Sequence, residues 1–272
     1  MSQNSITVLF IGDIVGFLGR STVRELLPKI KARHKIDLVI ANGENSAHGY
    51  SITEKIYNEL IEMGIDAVTM GNHLWEKKEL IQKIGAFTKL VRPANFPPGT
   101  PGQEFLILDV NGIKVGLTNF LGRVFMQCVD DPFQAADRVL PKIREFAKII
   151  IVDFHAEATS EKTAFAMYLD GKVSAVLGTH THVMTADERI FKDGTAFISD
   201  VGMVGALDSI IGMNKEQIIK RFRTQMPEKF EPTNTGPALF NAVLLKIDTE
   251  NGMAMEIKKI KEISETATPQ SG

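Results

Sequence analysis

Five short apolar runs in this chain each lead into a small cluster of acid, amide or imidazole side chains, and that recurrence limits the fold more than any other feature. The run over residues 6–11 precedes Gly12 and Asp13, and that over 36–41 precedes Gly43, Glu44 and Asn45. Residues 67–70 lead into Gly71, Asn72 and His73, and 149–154 into His155. The fifth run, 174–177, opens onto Gly178, Thr179, His180, Thr181 and His182. All five runs are short and β-branched or aliphatic, as buried strands are. Between them lie helical patterns, such as residues 21–33 with Val23, Leu26, Leu27 and Ile30 at helix spacing. This alternation predicts an α/β fold built from βαβ units. In such a fold the residues just past the carboxyl ends of parallel strands converge on one crevice, so five clusters far apart in sequence can share a site.

A chain of 272 residues, 44% of them hydrophobic, suffices for one large domain or two modest ones. No Gly/Ser or Pro linker divides it, and the Pro/Gly stretch at 97–102 is short enough to be a loop. The expectation is one domain over residues 1–263, with a disordered polar tail over 264–272. A formal net charge of −2 leaves no basic footprint for long nucleic acid, while small anionic substrates remain compatible. The single cysteine, Cys128, excludes an intrachain disulfide. No run approaches the roughly 20 apolar residues that span a bilayer. With no signal-peptide pattern before Ile6, the expected compartment is a reducing cytoplasm, away from membranes.

Taken singly, the polar clusters have ordinary readings. Asp13 after a glycine suits a turn, and Asn72 with His73 suits a helix N-cap. Glu44 and Asn45 offer hard oxygen ligands, or else a polar turn. Residues 12–19 contain neither the G-x-G-x-x-G pattern nor a Walker lysine, which argues against a dinucleotide-phosphate loop. Four of the six histidines fall at strand ends: His73, His155, His180 and His182. His155 alone would read as a hydrogen-bonded core residue. His180 and His182, two apart on an extended segment, present both imidazoles to one side, within reach of one cluster of cations. His34, in a helix-end run, reads as solvated, and His48, close to Glu44, as a pocket residue. Together the clusters read as the site of a two-metal phosphoester hydrolase.

The same residues resemble the calcineurin-like metallophosphoesterases, and within them the YmdB-like bacterial branch, over about residues 6–260. Most of that superfamily begins with Asp-x-His and follows with Gly-Asp-x-x-Asp. This chain has Asp13, Ile14 and Val15, then Gly43, Glu44 and Asn45, as that branch does. Gly71-Asn72-His73 and the 178–182 block match the later motifs. The resemblance implies a four-layer α/β/β/α fold, two mixed sheets flanked by helices. It implies one cation held by Asp13, Glu44, Asn45 and His182, and a second held by Glu44, Asn72, His155 and His180, with Glu44 bridging. A hydroxide shared by the two cations would attack, and His73 would be the catalytic proton donor to the leaving oxygen. Iron is the expected metal, with manganese or zinc possible. Cyclic nucleotides, 2′,3′ or 3′,5′, are the implied small phosphodiester substrates. A regulatory metal-binding protein acting through partners, and a phosphomonoesterase or nucleotidase with the same ligands, are the alternatives.

Phe17, Tyr50, Trp75, Phe96 and Phe120 are candidates for stacking a base. The apolar segment at 121–127 suggests a homo-oligomer. Asp193-Gly194 signals a hairpin between residues 188–192 and 195–199, and a further strand is expected over 238–247.

Overall fold

The structure, a computed structural model, describes residues 4–265. In chain order its first strands are β1 (Ser5–Ile11), β2 (Asp13–Ile14), β3 (Leu38–Asn42), β4 (Ala67–Thr69), β5 (Leu90–Val91), β6 (Phe105–Val110) and β7 (Ile113–Leu121). They are followed by β8 (Ile149–His155), β9 (Ala175–Thr179), β10 (Arg189–Ile190), β11 (Ala196–Ile198), β12 (Met203–Ala206), β13 (Ala238–Asp248) and β14 (Ala254–Ser264). The α-helices are α1 (Gly16–His34), α2 (Glu54–Glu62), α3 (Lys78–Lys83), α4 (Pro132–Arg144), α5 (Thr159–Tyr168) and α6 (Lys215–Thr224).

The strands form two mixed sheets. One follows the order β2-β12-β13-β1-β3-β4-β5 with β14 on β13, and the other the order β10-β11-β9-β8-β7-β6. The two-residue period of each strand sorts its side chains between layers. In β1, Ile6, Val8 and Phe10 join the core between the sheets, where they meet Leu117, Ile149 and Ile151. Leu9 and Ile11 face the other way, into the cluster containing Val23, Leu27 and Ile30 of α1. In β8, Ile150, Val152 and Phe154 turn outward to Val139 and Leu140 of α4 and Phe165 of α5. The result is helix, sheet, sheet, helix. Each such side chain, once fully buried, stabilises the fold by roughly 1.5–3 kcal/mol. Phe154 stacks on Phe165 at 4.2 Å between ring centroids, so Phe165→Ala should cost about 3–5 kcal/mol.

Several boundaries differ from those the pattern predicts. Helix α1 begins at Gly16, ahead of the apolar periodicity, and continues through Pro28. Its first turn is fixed by tertiary packing: a Cβ on Gly19 would lie 2.4 Å from the Val204 carbonyl oxygen. The predicted hairpin is present, with Arg189 opposite Phe197, but its strands are shorter than the runs that flagged it. Ser264, expected to open the tail, is instead the last residue of β14, opposite Ala238. Its hydroxyl donates to Glu25 Oε2 at 2.6 Å. Glu265 follows Ser264, exposed, and the remainder of the expected tail, 266–272, lies outside the described residues.

In one sheet β1, β3 and β4 are mutually parallel, and in the other β7, β8 and β9. Asp153 of β8 ties the two sets together. It accepts hydrogen bonds from Asn42 Nδ2 of β3 at 3.0 Å and from Thr69 Oγ1 of β4 at 2.5 Å. Among the described residues no helix is long and apolar enough to cross a membrane.

Candidate metal centre

Asp13 begins β2, Glu44 and Asn45 follow β3, Asn72 and His73 follow β4, His155 ends β8, and His180 and His182 follow β9. The fold brings all eight to one place, in two adjoining groups. In the first, His155 Nε2 lies 2.8 Å from Glu44 Oε1, 3.0 Å from Asn72 Oδ1 and 3.1 Å from His180 Nδ1. In the second, His182 Nε2 lies 3.3 Å from Asn45 Oδ1 and 3.9 Å from Asp13 Oδ1. Asp13 Oδ1 is buried and has no hydrogen-bond donor. The close approach of Glu44 and His155 requires a glycine at position 71, where a Cβ would stand 2.3 Å from Glu44 Oε2 and 2.5 Å from the His155 ring.

Hydrogen bonds on the far side of each group decide which atoms face inward. Thr179 Oγ1 donates its one proton to Asp153 Oδ1 at 2.6 Å and lies 2.9 Å from His155 Nδ1. His155 Nδ1 must therefore be the donor of that pair, which leaves the Nε2 lone pair pointing into the cluster. His182 Nδ1 donates to the Ile211 carbonyl at 2.8 Å, freeing its Nε2 in the same way. His180 Nε2 sits 3.1 Å from Glu157 Oε2, so its Nδ1 faces inward. Asn45 Nδ2 donates to the Gly49 carbonyl at 3.0 Å, which aims Oδ1 at the site. Buried acceptors thus converge on one another with too few protons to satisfy them, an arrangement stable only around positive charge.

The ionisation of the groups reflects that excess of acceptors. Burial pushes His155 down, but the Glu44 carboxylate, with Asp13 and Asp153, outweighs it and holds the imidazole up at about 9. Burial pushes Glu44 up, and His155 with His73 overcomes this, holding the carboxyl at about 2. Asp13 is raised to about 7 by burial, against the pull of His182 and His155. His180 is lowered to about 3 by burial and by the neighbouring charge of His155. Oxygen and imidazole donors without thiolate fit iron, manganese or zinc.

The turn that carries His180 and His182 is strained and braced. Both residues have positive φ, 105° and 64°, conformations that cost of order 1–3 kcal/mol each and persist where the surroundings enforce them. The brace is a buried ion pair. Lys162 Nζ of α5 donates to the Thr179 carbonyl and to Asp200 Oδ2, both at 2.8 Å, and Asp200 Oδ2 also accepts from the Thr181 N–H at 2.9 Å. His73 stands beside the cluster. Its main-chain N–H donates to Glu44 Oε2 at 2.9 Å, and its ring packs edge-on against Tyr50 at 5.0 Å between centroids.

A cavity of about 550 Å³ opens from these groups. Its floor is Glu44, Asn45, His73, His180 and His182, with Tyr50 beside them. The facing wall comes from residues 210–230: Ile210, Ile211, Met213 and Ile218, then Arg221, Phe222, Gln225 and Phe230. Nothing in the sequence patterns pointed to that wall. Of the aromatic candidates, Tyr50 borders the cavity, whereas Phe120 is core, Phe96 packs against Trp75, and Phe17 lines a separate cleft. His48, expected in the pocket, is exposed and opens onto neighbouring clefts. Asp153 and Asp200 were also missed. Asp153 had a readable signal: a lone acid inside an apolar run must be hydrogen-bonded when buried.

A family profile described as YmdB-like protein matches residues 9–260. The chain is 49% identical over 253 residues to the 2′,3′-cyclic-nucleotide 2′-phosphodiesterase of Bacillus subtilis (strain 168), covering 93% of this chain and 96% of that protein. A crystal structure of a phosphatase from Mycoplasma pneumoniae superposes with a TM-score of 0.91 at 37% identity, covering 96% of this chain and 95% of the other. A protein from Thermus thermophilus superposes with a TM-score of 0.89 at 44% identity, covering 96% of this chain and 100% of the other. With the fold, the profile and near full-length identity in agreement, the chain belongs to the YmdB-like family.

Proposed function

We propose that the protein is a metal-dependent phosphodiesterase that opens 2′,3′-cyclic nucleoside monophosphates, with 3′,5′-cyclic nucleotides as further candidates. The observation that carries this reading is the convergence of inward-facing lone pairs, fixed by outer hydrogen bonds, on two adjoining positions beneath one cavity. Asn72, His155 and His180 would hold one cation, and Asp13, Asn45 and His182 the other, with Glu44 shared. When bound, two such cations supply an activated water at neutral pH and offset the charge of the phosphoryl oxygens.

The remaining steps belong to the chain. The Thr179–Asp153 pair and the Ile211 carbonyl hold His155 and His182 in the tautomers that ligation needs. His73, its imidazole at the cavity surface beside Tyr50, donates a proton to the departing oxygen. Water adds to phosphorus as the P–O2′ bond breaks, and the 2′ oxygen takes the proton, which gives a nucleoside 3′-monophosphate. That regiochemistry follows the name of the Bacillus subtilis relative.

Iron is the first candidate metal, with manganese or zinc accepted. Cys128 is the only cysteine, which suits a reducing cytoplasm. Phe125, 89% exposed in the apolar 121–127 segment, supports self-association, which gel filtration at several concentrations tests.

Activity is tested by assaying metal-loaded protein on 2′,3′-cyclic AMP with chromatographic identification of products. Adenosine 3′-monophosphate is expected. Inorganic phosphate released from nucleoside monophosphates would instead indicate a monoesterase, and bound metal without turnover would indicate a regulatory role.

A further inference from the structure

We propose that the wall facing the metal floor is a nucleobase subsite, in which Phe222 stacks on the base and Arg221 donates hydrogen bonds to its acceptor edge. This rests on the cyclic-nucleotide reading of the same cavity. The cavity volume of about 550 Å³ falls in the range of pockets that enclose a drug-sized ligand, and far exceeds what a phosphoryl group alone fills.

The chemistry of the wall selects the occupant. It is apolar except for Gln225 and one cation, Arg221. Of the other basic side chains on this helix, Lys215 pairs with Asp208 and Lys220 with Glu228, and Arg223 does not line the cavity. No carboxylate among the described residues pairs with Arg221, whose guanidinium lies over the Phe230 ring at 5.8 Å from the centroid. Phe222, on the next residue, is 74% exposed although it lines the cavity. A planar heterocycle satisfies both at once, since its face covers an aromatic ring and its edge accepts from a guanidinium.

The wall is built, not draped. Ile210 and Met213 exchange main-chain hydrogen bonds, both at 3.0 Å. Asn214 caps α6 by accepting from the Gln217 N–H, and its own N–H donates to the Glu231 carbonyl at 2.8 Å. Ile211, between the two ends of this turn, has a φ of 48°, rare for a β-branched residue. That conformation accompanies the carbonyl bond to His182, so wall and metal floor share one rigid turn. The distance from phosphoryl site to base site is thereby fixed by the fold.

The test compares kcat/KM of the metal-loaded protein for 2′,3′-cyclic AMP and for methyl β-D-ribofuranoside 2′,3′-cyclic phosphate, which carries a methyl group in place of the base. The native protein should prefer the nucleotide, and Phe222→Ala and Arg221→Ala should each reduce that preference by roughly tenfold or more. Phe146→Ala, which removes an exposed ring after α4, should leave it as in the native protein. A native preference near unity, or one that Phe222→Ala leaves intact, overturns the proposal. If the native protein turns over neither compound, the cyclic-nucleotide reading fails, and calorimetric titration with adenosine 3′-monophosphate judges the subsite. Binding weakened tenfold or more by Phe222→Ala then keeps it, while undetectable binding or binding equal in the two proteins removes it.

Discussion

Beneath and at the cavity floor His155, His180 and His182 each have one ring nitrogen tied to a neighbour outside the cluster, whereas on the facing wall the side chains of Arg221 and Phe222 make no hydrogen bond among the described residues. The floor gathers side chains from five strand ends distant in sequence, and orients them through a buried outer shell of Asp153, Thr179, Lys162 and Asp200. The wall comes from one contiguous stretch, anchored through its main chain, with its active groups left facing the opening. A site that must hold charge needs every lone pair aimed. A site that accepts a planar group needs surface and a few donors, so its side chains can stay exposed.

The difference is open to attack where it is largest. Glu44→Ala removes the proposed shared ligand, so cation content should collapse and turnover should fall well beyond the roughly 10–100-fold typical of changes to residues that orient ligands. Elemental analysis that still finds two cations per chain would remove Glu44 as the bridge. His73→Ala should keep the metals and lose about 10²- to 10⁴-fold in kcat, and an unchanged kcat would take His73 out of proton transfer. Asp153→Asn tests the outer shell. With an amide there, Thr179 loses its acceptor and His155 its fixed tautomer, so metal affinity should drop about 10–100-fold while the protein stays folded. Equal affinity would show that the tautomer is set elsewhere. Smallest is the thermal effect of chelation. Cations that bind only the folded chain stabilise it by about 2.7 kcal/mol per site at a hundredfold excess over Kd. Removing them should therefore lower the melting temperature by several degrees, and no change would argue against a loaded site. The wall variants should instead alter substrate preference without changing metal content.

How much of this was legible follows the same division. The floor was readable because strand periodicity and strand-end clusters are local signals, and parallel strands deliver them to one crevice. Asp13, Glu44, Asn45, Asn72, His73, His155, His180 and His182 meet as expected. Both His180 and His182 reach the cluster, but not from one side of an extended segment as their spacing suggested: the strand ends at Thr179 and the two residues lie in a turn. Positive φ at both positions and the Lys162–Asp200 brace set the direction, and neither is visible in a pattern of residue types. The wall was illegible because Phe222 and Arg221 sit in an ordinary amphipathic helix, where an aromatic is normally read as core. Its meaning depends on what stands opposite, which only the tertiary arrangement supplies. The same holds for Phe96 and Phe120, near strand ends yet packed into the interior.

The central claim, two cations sharing Glu44, is tested most directly by anomalous diffraction from crystals grown with manganese. Two peaks are predicted, one among Asn72, His155 and His180 and one among Asp13, Asn45 and His182, with the Glu44 carboxylate between them. A single peak at saturating manganese, or two peaks neither of which touches Glu44, would contradict the account.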